Sequence, residues 1–171
     1  MLIEPGVHVK FNQSTSMTVK GQAYFFGGDT KVGKNITFSN QSSLSPAKTF
    51  LILDGNQTVE VNGLLLKNAG VGITINTGSP KFDYLYSNNA KYSALAINKN
   101  AVVKLSHCQL FGSSTSAIVL SGHSRLTVNN CSFKNNKPFH IQNSSTFPVI
   151  TNQVSFDKSA VTPILGASET N

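Results

Sequence analysis

The sequence predicts an all-β solenoid, a chain wound into stacked coils of about 23 residues, and three observations carry that prediction. First, a hydrophobic figure recurs at a 23-residue interval. Its slots are Phe82, Leu105, Val128 and Thr151; then Leu85, Cys108, Cys131 and Val154; then Ser87, Leu110, Phe133 and Phe156. Ten of these twelve positions are apolar, where a composition of 39% hydrophobic residues would place about five. Second, the strand signals are short alternating runs rich in Val, Ile, Phe, Leu and Thr, separated by Gly, Asn, Ser and Pro, and almost nothing reads as helix. Third, thirteen such runs in 171 residues make two or three per repeat, the count of a coil with triangular section.

Taken in order, the runs fall at 7–11, 17–25, 35–38, 50–53, 59–66, 72–75, 82–86, 95–97, 102–110, 117–120, 126–133, 139–141 and 149–156. Before residue 59 the coils are less regular, and 39–48 reads as an insertion because the register slips before it. In the clearest coil Val103, Leu105, Cys108, Leu110, Ile118 and Leu120 are expected to point inward. Alternation leaves one residue between inward neighbours, whereas two separate Leu105 from Cys108. That doubled spacer turns a corner and keeps both neighbours inside. After the second short strand come Asn68, Asn89, Gly112 and Asn135. Asn tolerates left-handed backbone, and its amide can bond local backbone and the same residue one rung away, so Asn68, Asn89 and Asn135 read as a structural ladder. Residues 77–80 and 122–125 close one coil and open the next, and 160–171 read as a tail or partial cap.

Cys108 and Cys131 fill one slot of consecutive repeats and are expected in the core. Rungs about 4.8 Å apart could be bridged by a disulfide. Parallel side chains fit its torsion poorly, however, so two buried free thiols are expected.

The length suits one domain, residues 1–171. Only 12% of residues are charged, so the surface is polar through amides and hydroxyls. The net charge of +7 rests almost entirely on scattered Lys, with Arg125 the single arginine. Diffuse charge without an Arg cluster or basic helix gives no reason to expect a nucleic-acid partner. The apolar runs are too short to span a bilayer, so no membrane insertion is expected. No basic region and long apolar stretch follows Met1, so no signal peptide is expected. The pattern begins mid-repeat, as in a mature portion or fragment of a longer protein.

The stretches Leu-Ile-Glu-Pro-Gly-Val-His-Val-Lys-Phe at 2–11, Met-Thr-Val-Lys-Gly at 17–21 and Asn-Ile-Thr-Phe at 35–38 resemble the opening coils of bacterial right-handed parallel β-helix surface proteins. Ala-Ile-Val-Leu at 117–120, followed by Leu-Thr-Val-Asn-Asn-Cys-Ser-Phe-Lys-Asn-Asn at 126–136, resembles the repeat of the pectate lyase-like superfamily. The resemblance implies a right-handed single-stranded parallel β-helix of about seven coils, secreted or at the cell surface. That fold hosts lyases, hydrolases, esterases, tailspikes and adhesins, so the function must come from the site.

A lyase of this kind would need outward carboxylates clustered on one sheet to hold calcium and a cationic base beside them. The outward pairs of successive coils are Glu60 and Asn62, Lys81 and Asp83, Lys104 and Ser106, Thr127 and Asn129, Ile150 and Asn152. No neighbouring acids occur among them. Asp83 with Glu60 is the one candidate pair for glycoside hydrolysis, and Lys81 beside them favours a solvated ion pair. His8, His107, His123 and His140 lack the close spacing or carboxylate partners of a metal site. No catalytic residue, metal or cofactor is therefore expected.

A binding face has better support. Tyr84 and Tyr86 lie on one coil, and His107, Gln109 and Phe111 hold the corresponding positions on the next. Rings flanked by amides suit a sugar, because a ring covers the apolar face of a pyranose and amides bond its hydroxyls. Lys81 and Lys104 on the adjacent sheet would favour an acidic polysaccharide. The outward slots are too mixed for the flat array that ice binding requires. Six Asn-x-Ser/Thr sequons occur, at Asn12, Asn35, Asn40, Asn56, Asn130 and Asn143. The expected function is a non-enzymatic surface module for adhesion or glycan binding, with acidic or neutral polysaccharide as partner. The alternatives are a structural solenoid that associates with itself or with flanking domains through open helix ends, and a degenerate polysaccharide lyase or hydrolase.

Overall fold

The computed structural model describes residues 1–28, 35–40, 48–159 and 162–170. The chain forms a parallel β-solenoid of about 7 turns with ~23 residues per turn, and among the described residues no helix occurs. Coil 102–120 shows the plan: Val102–Ser106, a corner at His107, Gln109–Phe111, a second corner at Gly112, then Ser116–Leu120. Stacking of the first two segments builds one sheet, and stacking of the third builds another, whose order runs back from Thr162–Leu165 to Met17–Val19. Among the described residues every strand pair is parallel.

The 23-residue figure is the register itself. Leu105 pairs with Val128, and Leu110 with Phe133. Val103, Leu105, Cys108, Leu110, Ile118 and Leu120 are all buried. The core is one cluster, with an aromatic group among its early coils: Phe11 stacks on Phe50 at 4.8 Å and meets Phe38 edge-on at 5.3 Å.

The corners depend on left-handed backbone. At the first corner Gly63, Tyr84, His107, Asn130 and Gln153 have φ of 73°, 53°, 52°, 51° and 52°. At the second, Asn68, Asn89, Gly112 and Asn135 have φ between 53° and 68°. The second set meets the expectation for Asn. Backbone N–H groups there reach the next coil, Asn68 to the Asn88 carbonyl at 3.0 Å and Asn89 to the Phe111 carbonyl at 3.0 Å. A side-chain ladder of the expected kind runs in another column, where Asn98 Nδ2 donates to Asn76 Oδ1 and the Ser121 hydroxyl donates to Asn98 Oδ1. A Tyr or His in left-handed backbone costs about 1–2 kcal/mol, so Tyr84 and His107 hold it only because the strands on both sides are pinned.

The run expected at 17–25 is two strands, Met17–Val19 and Ala23–Phe26, in different sheets. Lys20, Gly21 and Gln22 make the turn between them, which alternation alone does not reveal. The offset between paired residues falls from 36 at Ala23–Val59 to 28 at Ile36–Leu64 and 22 at Thr49–Val71. Of the expected insertion at 39–48, residues 41–47 lie outside the described residues. At the far end Thr162–Leu165 and Ser168–Thr170 add parallel strands to the two sheets.

A Cβ on Gly63 would lie 2.2 Å from the Gly28 carbonyl oxygen, whereas one on Gly6, also at positive φ, meets nothing within 4 Å. Gly63→Ala is expected to lower unfolding free energy by about 2–4 kcal/mol and Gly6→Ala by only about 1 kcal/mol. Urea titration of the two variants checks this, and equal losses would mean that close coil stacking contributes nothing.

Candidate functional site

The outward face of the first sheet and its first corner bring the sequence-selected residues together around His107. In register, Lys81 lies between Glu60 and Lys104, Asp83 lies between Asn62 and Ser106, and Tyr86 lies beside Gln109. The outward pairs named from alternation therefore stack as expected.

His107 sits one coil beyond Tyr84. Its imidazole stacks on the Tyr84 ring, with centroids 5.1 Å apart and planes 17° apart, and Nδ1–H donates to Asp83 Oδ1 at 2.8 Å. The side chains of His107 and Asp83 are 48% and 41% exposed, so this contact orients the ring more than it stabilises the fold. The expectation that the histidines lack carboxylate partners is corrected here and again at His140, whose Nε2 lies 3.2 Å from Asp157 Oδ1. Each carboxylate is 17 or more residues away in sequence, so only the coil stacking makes the pair. Among the described residues no group of three or more His, Cys, Asp or Glu could hold a metal ion.

Two shallow grooves meet at His107. One, of about 390 Å³, is lined by Phe26, Glu60, Asn62, Lys81, Asp83 and Lys104 together with His107. The other, of about 470 Å³, is lined by Tyr84, Tyr86, His107, Gln109, Asn130 and Ser132, with Cys108 and Cys131 in its floor. The sequence-selected patch is thus divided, with the lysines on one side and the tyrosines on the other. Phe111 lies outside both linings, in register with Asn88 and Lys134, whose ammonium lies 6.0 Å from its ring. The position corresponding to Phe111 one coil earlier is Asn88, not a tyrosine.

The charges of the first groove largely oppose one another. Lys81 Nζ is 3.9 Å from Glu60 Oε1, and Asp83 holds His107. Lys104 has Lys81 and Thr127 as its register neighbours, which leaves it the surplus cation. Sequence reading missed Phe26, which is 43% exposed, stacks with Tyr24 at 5.9 Å and lines the groove. It pairs with Asn62, 36 residues later, so the 23-residue interval gives no signal for it.

Beneath the second groove, Cys108 and Cys131 are free and buried. The Cys108 N–H points at Cys131 Sγ at 3.3 Å, and each thiol bonds a backbone carbonyl two residues before it. Burial pushes the Cys108 thiol well above its ordinary pKa. Sequence reading put His140 in the 139–141 run. It is fully buried, stacks on Phe156 at 5.5 Å, accepts at Nδ1 from Asn136 Nδ2 at 3.2 Å and donates from Nε2 to the Asp157 carbonyl at 3.1 Å. Asn136, also fully buried, ties this histidine to Ser113 and Leu110 one coil back. Of the sequons, Asn143 is buried and its Nδ2 donates to the Phe147 and Ala167 carbonyls, both at 2.9 Å.

The geometry defines a parallel β-solenoid with a polar, aromatic-edged outer face. The description "right handed beta helix region" fits residues 49–162, about two thirds of the chain, and the chain belongs to that family. No curated protein and no solved structure matches it.

Partial burial of Asp157 works against its ionisation, but bonds from the Ser159 hydroxyl and the Asn135 and Ser159 N–H groups, with the His140 ring nearby, outweigh it and hold the carboxyl below its ordinary value of 3.8. A lowered folded pKa contributes stability that is fully present above the ordinary value and is lost as pH falls through the folded one. Asp157→Asn is therefore expected to reduce stability at neutral pH and to flatten its acid dependence below about pH 4; parallel acid titrations by circular dichroism check this. The two thiols should react with an aromatic disulfide reagent only as fast as the chain opens, and immediate native labelling of Cys108 would contradict the buried placement.

Proposed function

We propose that this chain is a non-enzymatic glycan-binding module of a secreted or cell-surface protein, and that the two grooves meeting at His107 receive the sugar. The observation that carries the reading is the Tyr84–His107–Asp83 arrangement: a stacked, hydrogen-bonded ring wall with an aromatic and amide groove on one side and a charged groove on the other. A pyranose needs both an apolar surface for its C–H face and fixed donors and acceptors for its hydroxyls. Tyr84, Tyr86 and Phe26 supply the first, and Asn62, Gln109, Asn130 and Ser132 the second. Rigid sheet positions hold these groups before any ligand arrives, which lowers the ordering cost of binding. Acidic sugars gain from Lys104, while Lys81 is already opposed by Glu60.

The non-enzymatic reading is supported by the same contacts. Glu60 lies beside the Lys81 ammonium and Asp83 accepts from His107, so each carboxylate of the first groove already has a basic partner. A structural role is favoured by a different observation. The end coils carry strands such as Leu2–Ile3 and Ser168–Thr170, and Leu2 is 58% and Leu165 43% exposed, which suits association with another β-structure.

The test is a broad glycan array at low and high salt, followed by titration of the selected sugar. Tyr86→Ala is expected to weaken binding about tenfold, in line with roughly 1.4 kcal/mol for a tenfold change and the value of one aromatic contact. His107→Gly removes the ring without imposing a left-handed Cβ and should weaken binding at least as much. Binding lost entirely at high salt would reduce the effect to diffuse lysine charge, and no binding to any sugar would refute the proposal.

A further inference from the structure

Coil stacking gathers lysines that lie far apart in the sequence onto one outer edge of the solenoid, the second corner. Lys10, Ser39, Lys67, Asn88, Phe111 and Lys134 form one register column that leads into it, each of them exposed or half-buried. In the loops just beyond, Lys91 and Lys137 lie one coil to either side of Ser114. Their backbones are tied coil to coil: the Lys91 N–H donates to the Ala69 carbonyl at 2.7 Å, Ser114 to Ala90 at 3.1 Å and Lys137 to Ser113 at 3.1 Å. Lys158 carries the edge into the last coil. These six lysines are exposed, and they are six of the fourteen Lys and Arg in the chain. Among the described residues none of them makes an ion pair, whereas Lys81 on the first sheet lies beside Glu60. Asp157 is the carboxylate of this edge, and its oxygens already accept from the Asn135 and Ser159 N–H groups and the Ser159 hydroxyl. Two rings stand among the ammonium groups. Phe111 lies beside Lys134, and Tyr92 is 47% exposed with Lys91 Nζ 5.5 Å from its centroid.

We propose that this edge is a peripheral docking site for an anionic phospholipid bilayer, on which the solenoid lies with its axis along the membrane surface. Shape selects the occupant first. Coils about 4.8 Å apart make the edge roughly 29 Å long from Lys10 to Lys158. A corner is convex, so it presents a line of charge to a flat partner, whereas a threaded polymer or a small ligand is held in a cleft. None of these residues lines either groove at His107. Charge chemistry selects next. Lysine meets a headgroup phosphate as a point charge on a flexible stem, without the planar fork by which arginine fixes nucleic-acid phosphates and bases. Arg125, the one arginine, stands in another column, in register with Val102. The rings complete the match, because an exposed tyrosine sets its ring among lipid headgroups and keeps its hydroxyl in water. The lysines add because each sits within a screening length of the same charged plane. The bilayer is touched by side chains and not crossed. This inference does not rest on the reading given for the His107 grooves.

Flotation of the purified chain with vesicles tests it, using phosphatidylcholine alone and an equal mixture of phosphatidylcholine and phosphatidylserine. The chain is expected to float with the mixed vesicles, to stay behind with the neutral ones, and to be released as salt rises. Lys134→Gln combined with Lys137→Gln should lower the partition coefficient about thirtyfold, at about fivefold for each lysine near an anionic surface. Lys20→Gln combined with Lys99→Gln removes the same charge from the turns that close the coils and should leave the partition nearly unchanged. All four positions are exposed, and circular dichroism confirms that each double variant is folded. No binding to the mixed vesicles, or an equal loss in the two double variants, would overturn the proposal, the second result because it reports net charge alone. Binding to soluble polyphosphate or duplex DNA as tight, per phosphate, as binding to the vesicles would also overturn it and assign the edge to an anionic polymer.

Discussion

The structure depends on one constraint: each coil must return its strands to the same height and register, so that parallel backbone hydrogen bonds run unbroken from one coil to the next. The number of residues between corners is therefore fixed, and from residue 59 onward the first corner turns the chain with the same number of residues in every coil. Left-handed backbone at Gly63, Tyr84, His107, Asn130 and Gln153 does this at the first corner. The same positions then stack into a column along the bend of the first sheet. What begins as a requirement of backbone geometry becomes a row of projecting side chains.

The candidate site follows from that row. Tyr84 and His107 face each other because each occupies the corner slot of its own coil, and Asp83 reaches His107 because it precedes the corner one coil earlier. Neither contact needs a local sequence signal. The second sheet obeys the same register with different residues. At the C-terminal end the register is reinforced by polar contacts in the core, where Asn136 and His140 link Leu110, Ser113 and Asp157 across three coils.

Much of the fold was legible in the sequence because the interval is regular from residue 59 onward. The inward set from Val103 to Leu120, the paired free thiols and the outward pairs from Glu60 to Asn152 all follow from a 23-residue register and alternation. Legibility failed where the register changes or where two coils cooperate. Phe26 was missed because its coil is longer than the repeat, and the 17–25 run was read as one strand because Val19 and Ala23 continue the alternation through a turn. The His107–Asp83 and His140–Asp157 pairs join residues that are adjacent only after stacking. Asn76 and Asn98 form the amide ladder, although Asn68 and Asn89 have the same residue type at a similar interval, because a ladder needs side chains that point at each other and a corner needs only the backbone.

The most direct test of the account is a two-dimensional amide NMR spectrum of the labelled chain, assigned and titrated with short oligosaccharides of polygalacturonate and of a neutral β-glucan. The account predicts shifts for the charged ligand confined to Asp83, Tyr84, Tyr86, Lys104, His107 and Gln109. Shifts confined to the end strands, or none with either ligand, would contradict the claim that the stacked corner of the first sheet is a recognition face.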